Sequence, residues 1–360
     1  MSGSVPPTQR LISLDALRGF DMFWIVGGSA LHGAVKTIGE NPIGRLMSEQ
    51  LRHVEWEGFH FYDLVFPMFV FIAGVSLAFS LPRSVERVGR SKTAWRLARR
   101  ALVLFLIGVI YSGGLSKGLD QVRWLGVLQR IALASLGAGL LSIWLRGRWL
   151  AAICGGLLAA YWALLAWVPV PGGMPGDFRE GHNIVNWFDA QFLPGRKYNG
   201  DHDPEGILST FPAIANCLLG LLAGIFLRES RAGGSTRSAW LLTGGAALVA
   251  LGMLWSLPFP IIKKLWTSSF VLVACGWSAI LLGVFHQIIE VWNRRKWAEP
   301  FTWIGLNPIT IYLAANFADF SRLAQRITGP TPGVLHAIVA TGLAVLLAWW
   351  LHRKRIYLRV

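Results

Sequence analysis

The sequence predicts an all-α integral membrane protein, a bundle of about ten transmembrane helices with both termini in the cytoplasm. Three observations lead there. Hydrophobic residues make up 54% of the 360-residue chain and charged residues only 15%, against about 25% charged in soluble domains; the mean hydropathy is +0.48. Apolar stretches recur along the whole chain, each near the roughly 20 residues that cross a bilayer core. Basic residues collect in alternate loops between them.

Taken in order, the stretches fall at 12–32, 61–82, 95–113, 124–145, 149–168, 206–227, 239–257, 266–289, 300–320 and 333–352. Each is read as helix, because lipid cannot satisfy free backbone N–H and C=O groups. Together they make one transmembrane domain over 1–360. The opening MSGSVPPTQR lacks the short apolar region and small-residue cleavage site of a signal peptide, so the first stretch is expected to remain.

Sides follow from charge. Arg83, Arg87, Arg90, Lys92, Arg96, Arg99 and Arg100 fill one loop; Arg146 and Arg148, then Arg228, Arg231 and Arg237, then Arg294, Arg295 and Lys296 fill alternate ones. Arg353, Lys354, Arg355 and Arg359 follow the last stretch. Loops between these carry Glu40, Glu49, Glu55 and Glu57, or Asp177, Glu180, Asp189, Asp201, Asp203 and Glu205. The positive-inside rule then places the basic loops in the cytoplasm of a bacterial-type inner membrane, and His53 outside. The net charge of +15 is therefore no nucleic-acid signal; it marks orientation, and a basic face able to gather a polyanionic ligand. Cys154, Cys217 and Cys275 all fall inside apolar stretches and read as small buried residues, with no metal set expected. The long segment 169–205 carries Phe178, Trp187, Phe188, Phe192 and Tyr198 and reads as an ordered cap over a pocket.

Ionisable groups inside or at the lip of a span are costly, about 2.5–3.5 kcal/mol each at mid-helix, and mark candidates for function. Asp15 and Arg18 stand one turn apart and could simply pair. Gln129 and Arg130 interrupt the fourth stretch, and Arg130 suits either a structural ion pair or an anion site. Asp203-Pro204 is ordinary helix capping, with Glu205 beside it facing the outside. His53 sits at the mouth of the second stretch with Glu55 beside it and Asp63 ten residues on. A carboxylate would orient its ring and raise its basicity, as a general base requires.

Six ordered blocks then carry a resemblance: RLISLDALRGFDMF, HVEWEGFHFYDLVFPMFVFIAGVSLAFS, GVLQRIALAS, DPEGILSTFPAIANCLLGLLAG, KLWTSSFVL and PFTWIGLNPITIYL. In that order they resemble the membrane core of the heparan-α-glucosaminide N-acetyltransferase family and its bacterial relatives. The resemblance implies transfer of acetyl from cytosolic acetyl-CoA to the amine of a glucosamine-type sugar on the opposite side, by a homodimer. It implies His53 and Asp63 as catalytic residues and Arg130 as a donor contact. Where the family has an asparagine near the end of a span, this chain has Ser29. Glu55, Trp56, Ser29 and Glu205 are expected to hold the acceptor, and Arg130, Gln129 and Asn307 the acetyl-CoA. Asn307 would donate to the thioester carbonyl, although Asn-Pro is also a helix-break signal. His53 would deprotonate the amine or carry the acetyl itself. An O-acyltransferase of an envelope glycan and a secondary transporter are the competing readings.

Overall fold

The computed structural model describes residues 11–37, 41–114, 118–329 and 333–357. Glu40, Arg359 and the opening MSGSVPPTQR lie outside the described residues. The chain runs through α1 (Ile12–Thr37), α2 (Pro42–Gln50), α3 (Phe61–Val88), α4 (Arg90–Tyr111), α5 (Val127–Trp144), α6 (Gly147–Trp167) and α7 (Ile184–Phe192). It continues through α8 (Thr210–Glu229), α9 (Gly234–Trp255), α10 (Ser268–His286), α11 (Glu299–Leu306), α12 (Pro308–Phe317), α13 (Phe320–Thr328) and α14 (Val334–Arg353).

Among the described residues, seven helices are long and apolar enough to cross a membrane: α3, α5, α6, α8, α9, α10 with its π-helical extension to Val291, and α14. The sequence reading expects ten, and the difference has three local causes. The 26-residue α1 carries Asp15, Arg18, Asp21, His32 and Lys36, which lower its hydropathy. The 22-residue α4 spends its first three turns on Arg90, Lys92, Arg96, Arg99 and Arg100. The ninth stretch is two helices, α11 and α12, because Asn307 leaves helical geometry (φ −134°, ψ 47°) and Pro308 has no N–H to give.

Burial sorts the spans. The apolar windows of α3 and α10 are 72% and 78% buried, whereas those of α6 and α9 are 28% and 22% buried, so α3 and α10 form the centre and α6 and α9 the lipid-facing rim. Without a hydrophobic drive between helices in lipid, small residues let backbones approach. A Cβ at Gly220 of α8 would stand 1.9 Å from the Phe71 carbonyl oxygen of α3. One at Gly305 of α11 would stand 1.8 Å from the Asp15 oxygen of α1. The three cysteines are buried and free. Asp15 and Arg18 do pair, at 3.0 Å.

Candidate active site

The site starts at the N-terminus of α3. Asp63 is the third residue of that helix, and its Oδ2 accepts the backbone N–H of His60 at 3.1 Å, reaching back over the helix start. The same oxygen accepts the Val54 N–H at 3.2 Å. Its other oxygen, Oδ1, receives His53 Nδ1 at 2.8 Å. Asp63 is fully buried while the His53 ring is 53% exposed. A buried carboxylate thus fixes one edge of an imidazole whose other face is open. The Tyr62 ring lies beside it, centroids 4.7 Å apart.

A residue absent from the sequence reading completes this cluster. Lys263 brings Nζ to 3.3 Å of Asp63 Oδ1 and 2.9 Å of His53 Nδ1. The approach is built by backbone pairing. Gly58 N–H donates to the Ile261 carbonyl at 2.9 Å, and Glu57 and Ile262 form an antiparallel bridge. The loop of His53 is thereby tied to the segment ahead of α10. Burial pushes the Lys263 ammonium below the ordinary lysine range, against the pull of Asp63. The one available signal was two adjacent lysines, Lys263 and Lys264, in a short loop on the side the charge rule leaves poor in cations.

These groups border a cavity of about 320 Å³. His53, Trp56, Tyr62 and Lys263 form one wall, and Arg123, Tyr198, Asn199 and Glu205 another. Tyr198, Asn199, Pro204 and Glu205 of the segment 169–205 line it. Trp56 Nε1–H donates to the Phe178 carbonyl at 2.9 Å, and Lys264 reaches Glu180 at 2.9 Å. Of the five aromatics in that segment only Tyr198 lines the cavity; Phe188 and Phe192 pack together at 4.6 Å, and Phe178 on Phe259 at 5.2 Å. Asp189 of α7 accepts the Ile207 N–H at 2.9 Å, and burial raises its carboxyl to about 6.

Arg123 anchors the cap. It forks onto Asp203 at 2.8 and 2.7 Å and meets Glu205 at 2.5 Å. Burial alone would raise Asp203, but the Arg123 fork overrides it and holds Asp203 low. Burial dominates at Glu205 and raises its carboxyl despite Arg130 and Arg123.

The remaining expected residues are placed elsewhere. Glu55 and Ser29 are exposed and are not among the cavity's lining residues. Gly28, one residue before Ser29, faces the Tyr62 ring instead. Arg130 is buried at the start of α5, bonded to Ser209 and the Gly206 carbonyl, with its guanidinium 4.8 Å over the Trp266 ring. Gln129 donates to the Arg123 carbonyl at 3.4 Å. Asn307 donates to the Ile356 carbonyl at 3.0 Å, at the opposite end of the bundle from His53.

A second cavity, of about 720 Å³, opens at that opposite end. Arg18, Arg83, Arg99 and Arg100 line it, with Ser76 and Ser80. Four helices, α1, α3, α5 and α12, border both cavities. On α3 the linings end at Phe66 and resume at Phe69; on α5, at Val127 and Ile131; on α12, at Tyr312 and Ile309. Three to four residues of helix rise about 4.5–6 Å, so roughly one turn separates the two. Arg18 and Ile25 of α1, one in each lining, share a helix face with Asp21 between them. Asp21 is fully buried, and neither carboxylate oxygen bonds to a described residue.

With that geometry in hand, relatives of the chain are informative. The family model for heparan-alpha-glucosaminide N-acetyltransferase, catalytic, matches residues 10–265. The chain is 28% identical to heparan-alpha-glucosaminide N-acetyltransferase of Homo sapiens, over 86% of this chain and 56% of that protein. It is 26% identical to the Mus musculus protein of the same name, with the same coverage. The chain thus spans about half the length of the curated relatives it matches. Five of those seven apolar helices lie within the matched region, and this multi-pass membrane protein belongs to the heparan-alpha-glucosaminide N-acetyltransferase catalytic family.

Proposed function

We propose that this chain moves an acetyl group from cytosolic acetyl-CoA to the amine of a glucosamine-type sugar on the far side of the membrane. The observation that carries the reading is the pair of cavities on shared helices, one lined by arginines and one by the His53–Asp63 pair, about one helical turn apart. The arginine-lined cavity suits the phosphates of the donor, and the basic loops at that end support a cytoplasmic side for it. Coenzyme A is too polar to cross lipid, so only its thioester end need pass the partition formed by Phe66, Val127 and Tyr312.

On the His53 side the sugar would stack on Trp56 or Tyr198 and present its amine to the free nitrogen of the imidazole. With the Nδ1 proton directed to Asp63, Nε2 would serve as the base. The attacking amine loses its proton to Nε2, the C–S bond breaks, and the thiolate leaves toward the arginine side. Lys263, paired with Asp63, would offer a cation to the thioester oxygen as it gains charge. Arg130 and Gln129 act at one remove, Arg130 by bracing the start of α8 and Gln129 by holding Arg123. Asn307 fastens the chain end beside the donor cavity.

Labelled acetyl-CoA and glucosamine incubated with the detergent-solubilised protein test the reading. N-acetylated sugar is expected from the wild type, and turnover lower by about 10²–10⁴-fold from His53→Ala. Near-normal turnover of His53→Ala would remove the imidazole from the chemistry. Product on a hydroxyl in place of the amine would make the acceptor an O-linked one.

A further inference from the structure

A third cavity, of about 760 Å³, lies at the arginine-rich end and shares no lining residue with the other two. It is cut between the N-terminal turns of α11 and the C-terminal turns of α14. Arg295, Arg353 and Arg355 stand in its wall against a single carboxylate, Glu299. None of the three guanidiniums pairs with an acid among the described residues. Most of the rest of the wall is aromatic: Trp303, Trp349, His352 and Tyr357. Arg353 lies 5.3 Å over the Trp349 ring, and His352 stacks on Trp303 with centroids 6.3 Å apart and planes at 23°.

The chain is bent to complete this cavity. Arg355 has φ 55°, a left-handed conformation that costs a non-glycine residue. The bend is held on both sides: Ile356 N–H donates to the Leu351 carbonyl at 2.9 Å, and Asn307 Nδ2–H donates to the Ile356 carbonyl at 3.0 Å. It turns Tyr357 back to 3.4 Å of His352 Nδ1.

The flank of the cavity says what kind of anion fits. α14 has two faces. Ala337, Ala340, Ala344 and Ala348 are buried, whereas Leu335, Ile338, Leu346 and Trp350 are 62%, 59%, 57% and 47% exposed. Leu346, Trp350 and Arg353 follow i, i+4, i+7 spacing, so the exposed apolar stripe runs straight to the cationic rim. A free phosphate or a nucleotide would leave that stripe unused; a phosphate carrying acyl chains would cover it. We propose that this cavity binds the headgroup of an anionic phospholipid from the leaflet at this end, with its chains along α14.

Native mass spectrometry of the protein in neutral detergent tests this, with dioleoyl-phosphatidylglycerol or dioleoyl-phosphatidylcholine added. One phosphatidylglycerol per chain is expected to be retained in preference to phosphatidylcholine. The Arg295→Gln/Arg353→Gln variant is expected to weaken that retention by at least about tenfold, with its unfolding temperature unchanged. Should the double variant not fold, Arg355→Gln, in the turn beyond the helix, gives the same comparison. Equal retention of the two lipids, or undiminished retention by the variants, would overturn the proposal. So would displacement by inorganic phosphate or by acetyl-CoA, which would make the cavity a site for free anions or for nucleotide. A dimer that dissociates when the arginines are replaced would assign the stripe to a second copy and also defeat it.

Discussion

Lys263 stands 210 residues after His53 in the chain and 2.9 Å from it in space. The same ammonium is 3.3 Å from Asp63 Oδ1, so the carboxylate that orients the imidazole carries a second cation. Asp63 thereby receives His53, Lys263 and two backbone N–H groups, which is full use of a buried carboxylate.

Replacing Lys263 by Met keeps the stem and removes the charge. Acetyl transfer is expected to fall in kcat by about 10²-fold if the ammonium faces the developing oxyanion, with KM for the sugar changed little. Lys263→Arg should recover part of the loss. Steady-state kinetics of the three forms measures it; an unchanged kcat would leave Lys263 a structural contact only.

Asp63→Asn should separate geometry from charge. The amide still bonds to the His60 and Val54 N–H groups through its oxygen, so α3 keeps its start. Its Nδ2–H group then donates to His53 Nδ1 and drives the imidazole proton onto Nε2, the wrong tautomer for a base, and turnover is expected to fall by about 10²–10⁴-fold. Circular dichroism should show an unchanged helix content. Loss of fold together with activity would contradict the division of roles.

Asp189 gives the cap a pH dependence of defined sign. Its carboxyl is raised to about 6 when folded and lies near 3.9 in the unfolded chain. Between those values the folded state holds the proton and the unfolded state does not, so stability falls as pH rises. The contribution is present below the unfolded value and lost as pH climbs through about 6, amounting to at most about 3 kcal/mol. Asp189→Asn, neutral throughout, should flatten the change in unfolding temperature between pH 4 and 7. An identical pH profile in variant and wild type would refute this.

Arg123 neutralises two acids, with 14% of its side chain exposed. Arg123→Gln leaves Asp203 and Glu205 facing each other without the cation that bonds to both, an expected cost of about 3–5 kcal/mol. Thermal unfolding in detergent reads it directly. Adding Glu205→Gln to that variant should return part of the lost stability, since one of the two stranded charges is then gone; no recovery would mean that the carboxylates are not the source of the loss.

His53 and Asp63 were legible because ten residues and one helix start bring them together, a local event that spacing reports. Lys263 was not, because the backbone bridge from Glu57 to Ile262 that places it is long-range. Asp15–Arg18 was legible as a one-turn pair, and the seven apolar helices were legible from hydropathy. α1 and α4 exceed what hydropathy alone supports, since their charges lie against other helices or in the first turns. The break at Asn307-Pro308 was written in the residues, and its effect is to split one expected span and set Asn307 beside the arginine-lined end. Arg130 could be a structural group or an anion site on sequence grounds; the Trp266 ring and Ser209 that cover it come from distant segments. Ser29 turns outward because a one-residue shift rotates a helix by about 100°, a phase that no single sequence fixes.

The account rests on donor and acceptor entering from opposite ends and meeting at the partition between the cavities. Sealed vesicles carrying the protein, with acetyl-CoA supplied on the side of the arginine-lined cavity and a membrane-impermeant amino sugar on the other, measure this directly. The account predicts acetylated sugar in the acceptor compartment and free coenzyme A in the donor compartment. Product formed only when both reagents share one compartment would contradict it.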